Sequence, residues 1–165
     1  MSKISICDIV EAFEFQNDET DYYIDLRTNE VFSLTSDDYR GADSDGDLSS
    51  YPEWQHEFIR TAIEVIEDVD NRFISLPSSF EINDYRIMES FCETVEDDAI
   101  KNILENAISG RGAFRRFKDS VINIGIQQKW YTYKEKAYEQ IAIDWCKNHN
   151  LEYDYEKSDY EMKGE

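Results

Sequence analysis

Between Ser109 and Asp119 the chain reads Ser-Gly-Arg-Gly-Ala-Phe-Arg-Arg-Phe-Lys-Asp, four cations and two glycines in eleven residues. On a helix beginning near Gly112, at about 100° per residue, Arg111, Arg115 and Lys118 fall on one face and Arg116 points almost oppositely. Ala113, Phe114, Phe117, Val121 and Ile124 form the adjoining apolar stripe. A helix start preceded by Gly-Arg-Gly offers unpaired backbone N–H groups to an anion, and guanidinium forks grip phosphate or carboxylate at two points. The chemistry these residues permit is capture of phosphate or a nucleotide by Arg111, Gly112, Arg115, Arg116 and Lys118, with a base stacking on Trp130 or Tyr131. The spacing is neither G-x-G-x-x-G after a strand nor G-x-x-x-x-G-K-[ST], so neither established phosphate loop is present. A competing reading pairs the cations with the chain's own carboxylates.

Those carboxylates are abundant. The 165 residues carry 37 acidic and 17 basic side chains, a net charge of -20. Residues 1–110 hold 27 acids against 7 bases, whereas residues 111–147 hold 4 against 8, so the helix start lies in a local cationic segment. A field of this sign repels nucleic acid and anionic membrane and disfavours both as partners. It also suits an interaction or inhibitor module that engages a basic protein, including one that mimics nucleic-acid charge.

Other chemistries find little support. Cys7, Cys92 and Cys146 are odd in number and outside any C-x-x-C pattern, which points to reduced thiols filling the core. His56 and His149 read as surface residues, and G-x-S-x-G, H-E-x-x-H and metal-type clusters are absent from the sequence. The acidic stretch from Gly41 to Ser50 invites a calcium reading. A loop starting at Asp43 places Leu48 and Trp54 where an EF-hand needs Gly and Glu, and the reading fails. Glu81, Asp84 and Glu89 flank Arg86 as an expected ion-pair group. No catalytic residue, metal or cofactor is indicated; a phospho-substrate enzyme ranks below a binding protein.

The elements that must position the basic stretch follow from periodicity. Residues 4–15 read as a helix with Ile6, Ile9, Val10 and Phe13 at helical spacing, and Tyr22 to Leu26 with Val31 to Leu34 read as a β-hairpin turned at Asn29. Thr35 or Ser36 caps a short helix, and Pro52 opens one with Trp54, Phe58, Ala62, Val65 and Ile66 inward. Arg72 to Pro77 reads as a third strand. Helices with inward Ile87, Met88, Phe91, Cys92 and Val95, then Ile100, Ile103, Leu104, Ala107 and Ile108, lead to Gly110. The basic helix ends at Gly125, and a last helix from Gln127 to about Asn148 turns Trp130, Ala137, Tyr138, Ile141 and Trp145 inward. Leu151 to Tyr155 could add an edge strand. The expected fold is α+β, a small antiparallel sheet of the hairpin plus one or two strands with a mainly helical C-terminal half. It forms one domain over residues 1–155, followed by an acidic disordered tail over 156–165.

Leu76-Pro-Ser-Ser-Phe-Glu-Ile-Asn-Asp-Tyr-Arg-Ile-Met-Glu-Ser-Phe, Gly110-Arg-Gly-Ala-Phe-Arg-Arg-Phe-Lys-Asp, Trp130-Tyr and Ile141-Ala-Ile-Asp-Trp-Cys together resemble an uncharacterised bacterial protein family. The resemblance implies a bacterial or phage origin and one folded unit, and carries no activity, ligand or catalytic residue. With no 18-residue apolar run and acids from Asp8 onward, the expected location is the cytoplasm.

Overall fold

The computed structural model describes residues 3–43, 47–68 and 70–155. In chain order the elements are β1 (Ile4–Ser5), α1 (Ile6–Phe15), β2 (Thr20–Asp25), β3 (Glu30–Thr35), α2 (Ser36–Ala42), α3 (Glu53–Ile66), β4 (Phe73–Ser75), α4 (Ser79–Ile82), α5 (Asp84–Thr94), α6 (Asp98–Ala107), α7 (Ala113–Ile124), α8 (Gln127–Asn148) and β5 (Tyr153–Asp154). The fold is α+β. The chain packs as two compact units, residues up to Ser78 together with those from Ile143, and Ser79–Ala142. The acidic tail over 156–165 and residues 44–46 of the acidic loop lie outside the described residues.

In the first unit the hairpin forms as its alternation predicts. Asn29 takes the left-handed conformation at φ 59°, and β2 pairs antiparallel with both β3 and β4 in the order β3-β2-β4. Ile6, Ile9, Val10 and Phe13 are buried along α1, whose N-cap Ser5 accepts from the Asp8 N–H at 3.2 Å. Thr35 caps α2 in a reciprocal box with Asp38. Asp25 and Arg72 form a two-point pair, Nε to Oδ1 at 2.9 Å and Nη2 to Oδ2 at 2.7 Å, that joins the end of β2 to the residue before β4.

Two expectations for this unit are corrected. The buried face of α3 is Gln55, Ile59 and Ala62, whereas Trp54, Phe58 and Ile66 are exposed. Close approach of α2 sets that rotation: a Cβ on Gly41 would meet Ile59 Cδ1 at 2.5 Å, so glycine there lets Ile59 seat against the α2 backbone. Gln55 then donates from Nε2 to Asp37 at 2.9 Å and Asp38 at 3.1 Å, so its burial leaves no lost hydrogen bond at that group. The second correction concerns the edge strand. β5 pairs parallel with β1, Ile4 opposite Tyr153, in a sheet of its own, and Ile4–Ser5 is strand rather than the first turn of the helix.

The second unit is helical. Asn83 in the left-handed region caps α5, accepting from the Arg86 N–H at 3.2 Å, and Asp97 caps α6. Asp84, expected near Arg86, accepts the Tyr138 hydroxyl proton at 2.6 Å. Ile87, Met88, Phe91 and Cys92 are buried as expected, but Ile103 is exposed while Leu104, Ala107 and Ile108 are buried. The centre of this unit is aromatic. Phe91, Phe117 and Trp130 meet edge to face, with centroids 6.1, 5.4 and 4.8 Å apart, geometry that adds roughly 1 kcal/mol per pair beyond burial.

Candidate functional site: the turn into helix α7

The turn from Ile108 to Gly112 and the first turn of α7 are built around Arg116. Its Nε donates to the Ala107 carbonyl at 2.9 Å, Nη2 donates to Ser109, and Nη1 donates to Arg111. The Tyr85 hydroxyl donates to the Ile108 carbonyl at 2.8 Å. Two side chains therefore supply donors to the carbonyls at the end of α6, where a helix leaves acceptors without partners. Gly110 and Gly112, both at φ 76°, bend the backbone around the guanidinium. A Cβ on Gly112 would stand 3.0 Å from Arg116 Nη1, so that position is glycine for its backbone angle and for the close approach together.

This arrangement sorts the polar groups of the turn. A trans peptide puts its N–H opposite its carbonyl, so the Gly110 and Gly112 N–H groups point away from the guanidinium that binds the Ser109 and Arg111 carbonyls. Gly112, the N-cap of α7, supplies no side-chain cap. Among the described residues, the N–H groups of Gly110, Arg111 and Gly112 make no hydrogen bond, and residues 111–112 form a turn that leads into the helix. The run is a concentration of donors at the positive end of a helix dipole.

The cations divide. Arg111, Arg115 and Lys118 are exposed and form no salt bridge among the described residues; the pairs that do form are Arg40–Asp37, Arg72–Asp25 and Arg72–Glu64, all in the other unit. Arg116 is held by its own backbone. Its nearly opposite position on the helical wheel was the visible signal; that this direction leads back to the preceding turn depends on how α6 ends, which the wheel does not contain. Phe114, expected in the apolar stripe, is 56% exposed and borders an open groove with Phe80 and Tyr85, while Ala113, Phe117 and Val121 are buried.

The two aromatic residues expected to stack a base sit differently. Trp130 is 8% exposed and packed by Phe91 and Phe117, so its faces belong to the core, whereas Tyr131 presents its ring to solvent. Burial pushes the Cys92 and Cys146 thiols up to about 11, with Glu105 adding to the effect at Cys92, and both pack as core residues. Cys7 is partly buried and its Sγ donates to the Tyr155 carbonyl. His56 Nε2 and His149 Nδ1 each lie 2.9 Å from a backbone carbonyl, of Tyr51 and Trp145.

Fold and turn together define a small α+β protein with an exposed, cation-flanked helix start. Residues 3–164 match the model of the uncharacterised protein family UPF0158, and the chain belongs to that family. A UPF0158 protein of Pseudomonas aeruginosa is 23% identical over 142 residues, covering 86% of this chain and 80% of the relative. No solved structure matches the chain. No helix among the described residues is long and apolar enough to cross a membrane.

Proposed function

We propose that the protein is a non-catalytic cytosolic binding protein that captures a small anion, phosphate or the phosphate of a nucleotide, at the start of α7. The observation that carries this reading is that, among the described residues, the N–H groups of Gly110, Arg111 and Gly112 make no hydrogen bond and the flanking cations Arg111, Arg115 and Lys118 form no salt bridge. Backbone amides and guanidinium groups are donors that do not titrate near neutral pH, which suits holding an anion rather than shuttling protons. Arg116 acts on the turn and not on the ligand, while Arg111 and Arg115 supply forks and Lys118 a point charge.

The test is thermal unfolding of the full chain with inorganic phosphate, ADP and ATP, alongside an Arg111→Ala/Arg115→Ala double variant. A ligand at a hundredfold excess over its Kd adds about 2.7 kcal/mol to stability, a rise in Tm of several degrees. The rise is expected in the native chain and absent from the double variant. No rise with any of the three, or an equal rise in both proteins, overturns the proposal.

A further inference from the structure

The first unit contains a cavity of about 430 Å³ whose composition is opposite to that of the α7 turn. One wall is the α1 face Asp8, Glu11, Ala12 and Phe15, positions i, i+3, i+4 and i+7 of the helix. Facing it are Tyr22 of β2, residues 30–33 of β3 and Phe58 of α3. The lining holds three carboxylates, from Asp8, Glu11 and Glu30, and no Lys or Arg. Glu11 Oε2 is shielded from solvent and has no hydrogen-bond partner among the described residues. A carboxylate oxygen buried in this way lacks the donor that would offset its desolvation. Phe15, Tyr22, Phe32 and Phe58 give the same space aromatic walls.

We infer that this cavity is a binding site for an organic cation, an alkylammonium or alkylguanidinium group whose charged head meets Glu11 and whose hydrocarbon stem lies against the phenyl rings. Size separates this ligand from a metal ion. The volume falls within the range for small-molecule pockets, and the described residues include no group of three or more His, Cys, Asp or Glu side chains arranged to hold a metal. Aromatic faces favour a cation that brings apolar surface with it, because ring quadrupoles attract the charge and the stem removes area from water. The chain's net charge of -20 raises the local concentration of any cation near the entrance. Burial, and then the charge of Glu11, push the Tyr22 hydroxyl above its usual pKa. The head group can come from a free amine or from a lysine or arginine side chain of another protein, and both present the same chemistry.

The experiment titrates the full chain with n-butylammonium and n-butylguanidinium, with n-butanol and magnesium chloride as controls. Binding is read from fluorescence, since Trp54 lies edge to face with Phe58 at 6.4 Å, and from amide shifts over residues 8–15 and 30–33. Saturable binding of both cations is expected, at least tenfold weaker in Glu11→Gln and in Phe58→Ala, with unchanged far-UV circular dichroism. If Glu11→Gln fails to fold, Phe58→Ala, on an exposed side chain, decides alone. Equal binding of n-butanol would make the cavity merely apolar, and equal displacement by magnesium would make the effect ionic atmosphere; either overturns the inference. Loss of no affinity in the variants does the same. A second arm compares putrescine with N-acetyl-lysine methylamide: the tighter binder identifies the source, and failure of both overturns the site.

Discussion

Arg116 donates from Nε to the carbonyl oxygen of Ala107 at 2.9 Å, across the turn that separates α6 from α7. The same guanidinium reaches Ser109 and Arg111, so one side chain on the second helix terminates the first. Arg116→Ala should lower stability by about 1–3 kcal/mol, the range for removing hydrogen bonds made by a charged group. Arg116→Lys should recover only part, because an ammonium lacks the planar fork. Urea denaturation followed by far-UV circular dichroism checks both, and an unchanged midpoint for Arg116→Ala would refute the account of the turn.

The two glycines of the turn share a backbone angle and differ in surroundings. Alanine at either position meets the left-handed penalty of about 1 kcal/mol. At Gly112 the added Cβ also presses on Arg116 Nη1, whereas at Gly110 it meets nothing within 4 Å. Gly112→Ala should therefore be the more destabilising of the pair, and equal midpoints in the same denaturation assay would argue that the guanidinium shifts aside freely.

The Asp25–Arg72 pair predicts an acid limb. Burial pushes the Asp25 carboxyl up, but the Arg72 fork, the Arg27 N–H and the charges of both arginines outweigh it and hold the group below its usual range. A depressed folded pKa contributes stability that is complete above the unfolded value, about 3.9, and is lost as pH falls through the folded value. Asp25→Asn should lower stability at neutral pH by roughly 2 kcal/mol and flatten the decline below about pH 4. Urea midpoints measured at pH 7, 4 and 3 would show it; parallel curves for the two proteins would exclude this pair as a source of acid sensitivity.

Helix α3 offers a contrast between neighbours. Gln55 is 3% exposed and Trp54 70% exposed, so Gln55→Ala, which strips donors from Asp37 and Asp38, should cost about 1–3 kcal/mol. Trp54→Ala should stay within about 0.5 kcal/mol. A reversed order in thermal unfolding would restore the face that hydrophobicity suggests.

How far the sequence discloses this molecule depends on the range of the interactions. Asn29, Thr35, Asn83 and Gly125 act through their own backbone neighbours, and their turns and caps are readable from residue type. The face of α3 is not, because Gly41 and Asp38 on another helix decide it. Likewise the parallel pairing of Ile4 with Tyr153 spans nearly the whole chain and leaves no local pattern. At the candidate site Arg115 and Lys118 are exposed on α7, whereas Arg111 precedes the Gly112 N-cap and lies outside the helix on which spacing could place it. The separate duty of Arg116 is legible as direction only, and the burial of Trp130 depends on contact with Phe91 and Phe117 from two other helices.

The β1–β5 pairing also orders events during synthesis. The second unit is one continuous stretch, Ser79–Ala142, whereas the first needs Tyr153 and Asp154 beside Ile4 and Ser5. A ribosome adding about 5–20 residues per second delivers the helical stretch whole while the opening strand still waits for its mate. Ile4 and Ser5, translated among the first residues, are thus among the last to find their hydrogen-bond partners. Protease protection of arrested nascent chains should appear over residues 79–142 before it appears over 3–15, and the reverse sequence would contradict this schedule.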